Sequence, residues 1–555
     1  MDPLTIAASL RELAVYLRLE RDPHRARAYE GAAATVEAVH DLERRVADGT
    51  LTELPGIGAS IARVVAELQQ RGTVDTLERL RARWPRTVVE LSQLPGVGLK
   101  RAQALCERLA PADLDALTAM VEAGLARAVP GFGPATEAKL LAALRGRHVR
   151  REAMALIDAR RVSGQLVAYL AAAPAAIAVH AAGPVRRWLE VVDELVVVVA
   201  TDAPAAIRAH VARHPLVLAV VDGDDPAVTT LRMAHGGRGR VVTTPAAGLG
   251  AALIVATGSA GHVAAMRARA AAAGRTLEAI AGDEAAVYAA LAAPWVPPEV
   301  RDGDDELGGR WDDLVTVADV RGAVHCHTTY SDGRHTIAQM AAAAAGHGLA
   351  YLTITDHSPA AFYAHGLDDD RLRAQWAEIA EVQATTPVRL LRGVEADILV
   401  DGALDVSAAV ASELEVVVAS VHSRHKLDED AMTRRLAAAM RQPGFKIWGH
   451  ALGRLVLRRD GVPCRFDEVL DAIADGAAAI ELNGDPHRLD LDPVRARAAA
   501  ARGIRFVLSV DAHSTRGLDD IEYAVAMARR ARLRPAQVLN ALPTEAFVAA
   551  VRPRR

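Results

Sequence analysis

The chain has 555 residues, enough for several domains that each bury a core, and 51% of its residues are hydrophobic. Its apolar runs are far too short to cross a bilayer and no signal segment begins it, which excludes membrane and secreted classes and predicts a cytoplasmic protein. Three scattered cysteines exclude a disulfide framework, and a formal net charge of −4 means that any DNA contact must be local.

Residues 1–150 are predicted to be helical, because apolar residues recur every three or four positions. Three turns of the form Pro-Gly-hydrophobic-Gly each precede a predicted helix, with glycines at Gly56 and Gly58, Gly96 and Gly98, and Gly131 and Gly133. Glycine lets a DNA backbone come close, and the free amides of a helix N-terminus bind phosphate without reading sequence. One such helix-hairpin-helix turn connects helices as often as it binds DNA, whereas three, with Lys100 after the second, predict DNA binding. We divide this region into domains at 1–85 and 86–150.

Residues 151–301 are predicted to alternate between helices and β-branched strands, including a strand at 195–200. Coming after the three turns, these segments and the sequence Thr257-Gly258-Ser259 resemble the palm and thumb of a family X DNA polymerase. The resemblance also covers 10–40 and 294–301. It implies a nucleotide-binding surface, whose remnants here would be Arg187, Thr257 and Gly258.

The residues that would catalyse nucleotide addition depart from this family. Its members hold two Mg²⁺ ions with three aspartates, two on one strand and one on a neighbouring strand. The matching positions here are Glu194, Val196 and Arg240, and a one-residue shift of register places Asp193 and Leu195 at the first two. Either alignment leaves a single carboxylate. We therefore predict that this module does not polymerise DNA and serves as a DNA-binding scaffold, with a still active gap-filling polymerase as the alternative.

The polar segment 302–318 is predicted to be a linker. From 319 to 555, short β-rich runs alternate with alanine-rich helices, which predicts a (βα) barrel with its chemistry at the C-terminal ends of the strands. The predicted strands are 323–327, 351–355, 389–393, 416–420, 446–449, 479–482 and 505–509. In the first strand, His325 and His327 are two residues apart and can face one cavity, although a lone His-x-His pair binds no metal about as often as it binds one. Polar, ligand-type residues follow every strand, which chance alone rarely produces.

These residues resemble the motifs of the polymerase and histidinol phosphatase (PHP) family, among them His-x-His, Thr-Asp-His-Ser, Gly-Val-Glu and Asp-Ala-His. The resemblance implies a distorted (βα)7 barrel with up to three metal ions. The whole chain resembles bacterial family X polymerases that carry this domain C-terminally, which implies a bacterial cytoplasm. The implied ligands are His325, His327, Asp332, His357, Glu395, His422, His450, Asp511 and His513. Such a set suits Mn²⁺, Zn²⁺ or Fe²⁺, and the resemblance favours Mn²⁺.

Residues beside these motifs are candidates for catalytic or supporting roles. Glu395 is expected to bridge two ions, Asp356 to orient a liganding histidine, and Arg454 to neutralise phosphate oxygens. Asp397 either braces Glu395 or merely follows it, and Cys326 is expected to point into the core. Residues that either contact substrate phosphate or simply lie on the surface, the latter being the default, are His425, His487 and Arg488.

These features favour a metal-dependent hydrolase of DNA phosphodiesters, acting as a 3′→5′ exonuclease or 3′-end processor in DNA repair. Cleavage at abasic sites, as in base excision repair, stays open. The expected partner is gapped, nicked or 3′-ended DNA, and we expect a monomer. The alternatives are a small-molecule phosphatase of the histidinol phosphatase type, which has no need of three DNA-binding turns, and a nonenzymatic DNA-end-binding protein, which has no need of a complete ligand set.

Overall fold

The computed structural model describes residues 3–37, 42–54, 56–92, 94, 97–221, 223, 225–233, 237–476 and 478–553. The chain forms two compact units, Met1–Arg151 and Glu152–Arg555. Among the described residues, no helix is both long and apolar enough to cross a lipid bilayer.

The first unit is helical, as predicted, and its helices pack around apolar cores. Its helices are α1 (Pro3–Leu19), α2 (Pro23–Glu37), α3 (Leu42–Asp48), α4 (Ala59–Arg71), α5 (Asp75–Arg83), α6 (Arg86–Ser92), α7 (Leu99–Leu109), α8 (Leu114–Glu122) and α9 (Pro134–Glu152).

The three Pro-Gly-hydrophobic-Gly turns share one hydrogen-bonding pattern. In each, the amide of the hydrophobic residue, Ile57, Val97 or Phe132, donates to the carbonyl three residues earlier at 3.1 Å, and the side chain is buried. Helices α4, α7 and α9 begin directly after the second glycine of each turn. The buried side chain therefore anchors each turn beneath the start of a helix.

The second unit begins with a sheet module, residues 152–301. Its helices and strands are β1 (Met154–Ala155), α10 (Leu156–Ala171), β2 (Ala178–Ala182), α11 (Gly183–Arg186), β3 (Val191–Val192), β4 (Glu194–Ala200), α12 (Pro204–Val211), β5 (Val217–Val221), β6 (Val228–Met233), β7 (Arg238–Thr244), α13 (Leu249–Thr257), α14 (Ala260–Ala272) and α15 (Glu284–Ala290). The main sheet has the strand order β2-β4-β7-β6-β5, in which only β4 and β7 are parallel. The valine run of β4 is buried on both faces, because it lies inside the sheet and helices pack on it.

A barrel follows over the described residues 319–476 and 478–553. Its helices and strands are β8 (Gly322–Cys326), α16 (Ile337–Gly346), β9 (Tyr351–Ile354), α17 (Asp369–Gln383), β10 (Arg389–Asp397), α18 (Ala408–Ala411), β11 (Val416–Ser420), α19 (Glu429–Arg441), β12 (Lys446–Trp448), α20 (Phe466–Asp475), β13 (Ala478–Asn483), α21 (Pro493–Ala501), β14 (Phe506–Ser509), α22 (Ile521–Arg530) and α23 (Thr544–Val551).

The seven barrel strands run parallel in chain order, and the sheet is nearly closed on itself. Two hydrogen bonds connect the C-terminal end of β8 to the residues that follow β14. The amide of His327 donates to the carbonyl of Ala512 at 2.9 Å, and the amide of Ala512 donates to the carbonyl of His325 at 3.0 Å. The predicted (βα)7 barrel is confirmed, and β10 alone is much longer than predicted. Cys326 is buried in an apolar cluster between the sheet and the surrounding helices.

The sheet module and the barrel share a core within the second unit. Leu489 and two residues of α22, Tyr523 and Met527, are buried in the same apolar cluster as Leu156 and Val192 of the sheet module. The two parts therefore share this cluster, in addition to apolar clusters that belong to the barrel alone or to the sheet module alone.

The segment 302–318, predicted to be a linker, is packed. The carboxylate of Glu306 is buried and lies 2.7 Å from Nδ1 of His262, and Asp302 lies 2.5 Å from Arg187 and 3.5 Å from Arg497. Polar composition suggested a solvated segment, but both of these carboxylates contact partners distant in sequence.

Candidate functional site

The carboxyl ends of the barrel strands bring all nine predicted ligands together. His325 lies in β8 and Glu395 in β10, and the others follow the ends of strands. Parallel strands in a barrel end at the same rim, so residues far apart in sequence converge there. Overlapping groups of donor atoms lying within 4.8 Å of one another contain all nine residues: His327, Asp332, His357 and His513; His325, His327 and Asp511; His325, Glu395 and His450; and His357, Glu395 and His422.

Glu395 lies at the centre of this cluster and is buried. Its Oε1 is 3.2, 3.2 and 3.0 Å from Nε2 of three histidines, and its Oε2 is 3.5 and 2.9 Å from ring nitrogens of two more. The five histidines are His325, His422, His450, His327 and His357. Each carboxylate oxygen thus faces its own set of imidazoles, and Glu395 with these histidines could hold metal ions.

Two further carboxylates each lie among imidazoles. Oδ1 of Asp511 is 3.3 Å from His325 Nε2 and 3.1 Å from His327 Nε2. Oδ1 of Asp332 is 3.6 Å from His357 Nε2 and 3.3 Å from Nε2 of the ninth residue, His513. Metal-to-donor distances near 2.1 Å in a tetrahedral site put neighbouring donors roughly 3.4 Å apart, so these spacings fit donors around an ion.

Several donor atoms in the cluster are buried without a hydrogen-bond partner among the described residues. They include His325 Nε2, both ring nitrogens of His327, Glu395 Oε2 and Asp511 Oδ1. A buried polar atom left unpaired costs about 1–3 kcal/mol, so such atoms concentrated at one centre are difficult to explain as simple packing. Metal ions bound here would satisfy them, and the residues present fit that occupancy.

A second set of carboxylates orients the histidines. Glu481, in β13, lies 2.6 Å from His325 Nδ1, and Asp397 forms a short hydrogen bond with His422 Nδ1. The sequence left the role of Asp397 open, and these contacts show that it holds a histidine. Glu481 was missed, although a glutamate inside the apolar strand Ala-Ile-Glu-Leu could have signalled a buried partner.

Asp356 does not play the role predicted for it. Its carboxylate accepts hydrogen bonds from the Thr328 amide at 2.8 Å, from the Thr328 hydroxyl and Gln375 Nε2 at 2.6 Å each, and from Ser331. The described residues include no histidine that donates to it. Asp356 instead holds the loop between His327 and Asp332.

Charges within the cluster stabilise one another. Burial alone would raise the pKa of Glu395, but the histidines around it, His422 first, hold it well below its usual range. Burial alone would lower the pKa of His357 and His422, yet Glu395 raises them to about 10 and about 9. His327 is the exception, because burial and neighbouring imidazoles lower its pKa to about 3. Protons and metal ions therefore compete for most of this cluster.

Three of the nine predicted ligands have left-handed backbone conformations. The φ angles are +68° at His325, +24° at His450 and +54° at Asp511. A residue with a side chain in this region costs on the order of 1–3 kcal/mol and persists only when the surroundings fix it. Hydrogen bonds that close the barrel hold the backbone at His325 and beside Asp511, and the amide of His450 donates to Glu481.

Arg488, and not Arg454, is the arginine beside the cluster. Nε of Arg488 lies 3.6 Å from Asp511 and 3.5 Å from Asp485. Arg454, predicted to neutralise phosphate oxygens, instead donates to the carbonyls of Arg488 and Leu489 and lies 3.3 Å from Glu190. Its guanidinium is engaged in holding the loop that carries Arg488.

His425 and His487 were, with Arg488, the candidates for contact with substrate phosphate. In the described structure neither histidine contacts the central carboxylates. His487 is exposed, with its amide bonded to Asp485 at 2.9 Å. Burial and the charge of Arg459 lower the pKa of the half-buried His425 to about 4.

The three positions matched to polymerase aspartates lie close together in the sheet module. Val196 in β4 pairs with Arg240 in β7 and is buried, and Arg240 Nη2 lies 3.1 Å from Glu194 Oε2. The one carboxylate that remains, Glu194, thus forms an ion pair with Arg240, which stands at the position of the third polymerase aspartate.

The predicted remnants of a nucleotide site are occupied by contacts within the protein. Arg187 lies 2.5 Å from Asp302, and the buried Thr257 accepts a hydrogen bond from Arg186 at 3.2 Å. Gly258 follows the end of α13, and a side chain there would collide with His262. Arg187 and Thr257 thus each contact another side chain of the protein.

The predicted DNA contacts in the first unit are accessible where the structure describes them. Space is open around Gly56, Gly58, Gly98, Gly131 and Gly133, since a side chain added at any of them would meet nothing within 4 Å. Lys100 is exposed on the first turn of α7. Gly96 lies outside the described residues.

Three family models match the chain: a helix-hairpin-helix domain over residues 1–74, a SAM-like helix-hairpin-helix tandem over 86–146, and a PHP domain over 323–484. The fold and the site thus define a protein with DNA-binding helical domains and a metal-dependent PHP barrel.

The chain is also similar to a characterised bacterial protein along almost its full length. It is 32% identical over 549 residues, 96% of each chain, to the DNA polymerase/3′-5′ exonuclease PolX of Bacillus subtilis (strain 168). The chain therefore belongs to the PolX family, the bacterial family X DNA polymerases that carry a C-terminal PHP domain.

Proposed function

We propose that this protein is a metal-dependent 3′→5′ exonuclease that processes 3′ ends in DNA repair, with the reaction located in the barrel. The nine-residue cluster supports this most directly, because its unpaired buried donors surround positions suited to metal ions. The helix-hairpin-helix domains and the exonuclease named in the B. subtilis relative favour DNA as the substrate. Gapped, nicked or 3′-ended DNA would be bound by a monomer in the cytoplasm, and cleavage at abasic sites is a further candidate activity.

The chemistry depends on residues in distinct positions. When bound, divalent ions would lower the pKa of water and neutralise phosphate charge. Glu395 lies where it can hold two of them, with Asp511 and Asp332 on either side. Arg488, fixed beside Asp511, can donate to a nonbridging phosphate oxygen. Glu481 and Asp397 keep the rings of His325 and His422 in place.

The metals we propose are Mn²⁺ ions, up to three. Imidazole and carboxylate donors suit Mn²⁺, Zn²⁺ and Fe²⁺ alike, so the donor set does not choose among them. The resemblance of the whole chain to bacterial family X polymerases favours manganese.

We further propose that the sheet module does not polymerise DNA and acts as a DNA-binding scaffold. We also propose that the domains of the chain end at residues 85, 150 and 301, with a segment 302–318 before the barrel. Two-metal catalysis needs several carboxylates, whereas Glu194 is the one carboxylate at the three matched positions and is ion-paired with Arg240. Purified protein should therefore not extend a primed template. Extension that disappears in Glu194→Ala would refute this.

The decisive experiment incubates a 3′-labelled primer-template with protein and Mn²⁺, alongside duplex with an abasic site and histidinol phosphate as competing substrates. DNA should be shortened from its 3′ end, and His325→Ala and Asp511→Ala should each abolish shortening. His347→Ala is the matched control, because this histidine precedes β9 at the opposite end of the barrel. Preferred hydrolysis of histidinol phosphate, or full DNA degradation by the two ligand variants, would overturn the proposal.

A further inference from the structure

Two neighbouring aromatic rings stand out on a chain that has few. The protein contains 8 tyrosines, 6 phenylalanines and 6 tryptophans. Among its described residues, the exposed ones are Trp295 at 45%, Phe362 at 84% and Tyr363 at 58% of their surfaces. A single exposed apolar residue needs no explanation, but an adjacent pair of rings in water usually marks a contact surface.

The two rings, Phe362 and Tyr363, lie beside the nine-residue cluster. Both residues belong to the short turn that follows His357, and the centroid of the Tyr363 ring is 6.3 Å from that of the His357 ring. The Phe362 and Tyr363 rings are 6.1 Å apart at an angle of 79°. An open cavity of about 410 Å³ adjoins Phe362, with Tyr330 and Arg371 in its lining. Its volume falls within the range of small-ligand sites.

The backbone beneath the rings is firmly anchored. Leu367 donates to His357 at 2.7 Å, Gly366 donates to Ala361 at 3.2 Å, and the Arg371 guanidinium donates to the Gly366 carbonyl at 3.0 Å. Ala361 is completely buried. The exposure of the rings therefore does not come from a loose loop, and their presentation is fixed before any ligand binds.

We propose that Phe362 and Tyr363 form a stacking platform for an unpaired nucleobase at the 3′ end that the barrel hydrolyses. The idea rests on the proposed 3′-end hydrolysis. With a phosphate at the cluster, the adjacent nucleotide places its base near these rings. An unpaired base offers a free π face, whereas stacking inside a duplex occupies it. Aromatic stacking tolerates any base, which suits an exonuclease that must remove all four.

The test compares two single strands of equal length, one with natural 3′-terminal nucleotides and one whose last three nucleotides are abasic tetrahydrofuran analogues. Phe362→Ala and Tyr363→Ala should each lower kcat/KM on the natural strand by roughly 5- to 150-fold, the range of one stacking interaction. Neither should alter kcat/KM on the abasic strand. Phe362→Tyr should restore activity because it keeps a ring. Val317→Ala, an exposed apolar residue before β8, should leave both substrates unaffected.

A binding measurement separates this idea from the proposed hydrolysis. In a His325→Ala background, a strand ending in 2-aminopurine should lose fluorescence on binding, and Phe362→Ala should restore the fluorescence at saturation. Equal loss of kcat/KM on both strands, or no quenching, would overturn the platform. If the wild-type protein cleaves neither strand while quenching persists, the proposed hydrolysis fails and the platform stands.

Discussion

Replacing Glu190 by alanine is expected to lower the free energy of unfolding of the second unit by about 3 kcal/mol. The Glu190 side chain is 17% exposed, and two guanidinium groups donate to it, those of Arg454 and Arg530, which are 19% and 11% exposed. Without the carboxylate, two cations remain at a poorly hydrated interface. Breaking a buried ion pair costs about 3–5 kcal/mol and an exposed one up to about 1, so the small exposure here places the cost near the lower end of the first range.

Replacing Glu190 should also lower the activity of the nine-residue cluster. Arg454 joins Glu190 to the carbonyls of Arg488 and Leu489, and Arg488 lies beside Asp511. Loss of Glu190 loosens this connection, and a displacement near 1 Å at a reacting group can lower a rate by about 10²-fold. We expect kcat/KM for 3′-end removal to fall between about 5- and 100-fold.

Urea unfolding and steady-state kinetics on a labelled single strand measure the two effects. Glu522→Ala is the matched control, because Glu522 also joins the barrel to the sheet module, through Arg160 at 2.9 Å, but is 45% exposed and contacts neither Arg454 nor Arg488. It should cost at most about 1 kcal/mol and leave kinetics unchanged. Unchanged stability and kinetics in Glu190→Ala, or equal effects in both variants, would refute the reasoning.

Further outcomes concern metal, DNA and pH. A chelator should lower the thermal midpoint of the wild-type protein by about 2–4 °C, since a ligand at 100 times its Kd contributes about 2.7 kcal/mol, and should lower that of His325→Ala less. Gly58→Glu should weaken binding of every DNA sequence by about 10- to 100-fold in a filter-binding assay, because it blocks a charged hydrogen-bond contact; Gly31→Glu, where space is equally open, should not. Burial would raise the pKa of Glu306, but the hydrogen bond with His262 lowers it to about 2. Glu306→Gln should therefore cost about 3 kcal/mol above pH 4.5, and this deficit should shrink as the wild-type carboxylate is protonated between pH 4.5 and 2, as urea unfolding at pH 7 and pH 3 would show.

The sequence predicted the barrel and the position of its cluster because both depend on local patterns. Each strand is a short apolar run followed by a polar residue, and parallel strands must end at one rim. The predicted ligands His325 and Asp511 could therefore be placed together although they lie 186 positions apart in the sequence. Hydrophobic periodicity also predicted the helices of the first unit, since each buries one face.

The residues that support the cluster were harder to predict, because loop geometry decides their contacts. Asp356 directly precedes a predicted ligand, yet its carboxylate turns to Thr328, while Asp397 reaches His422. Nothing in the local sequence distinguishes Arg454 from Arg488, because what separates them is the fold of the loop after β13 and its packing against the sheet module.

The left-handed backbone at His325 and Asp511 implies a conflict between robustness and activity. Glycine at either position would relax the main chain and discard a donor atom at the same time. A laboratory selection that rewards only heat resistance, carried out with a chelator so that bound metal adds no stability, would therefore favour the loss of these side chains, and a selection for nuclease activity would restore them. Thermostable variants obtained without an activity screen should be sequenced first at these two positions.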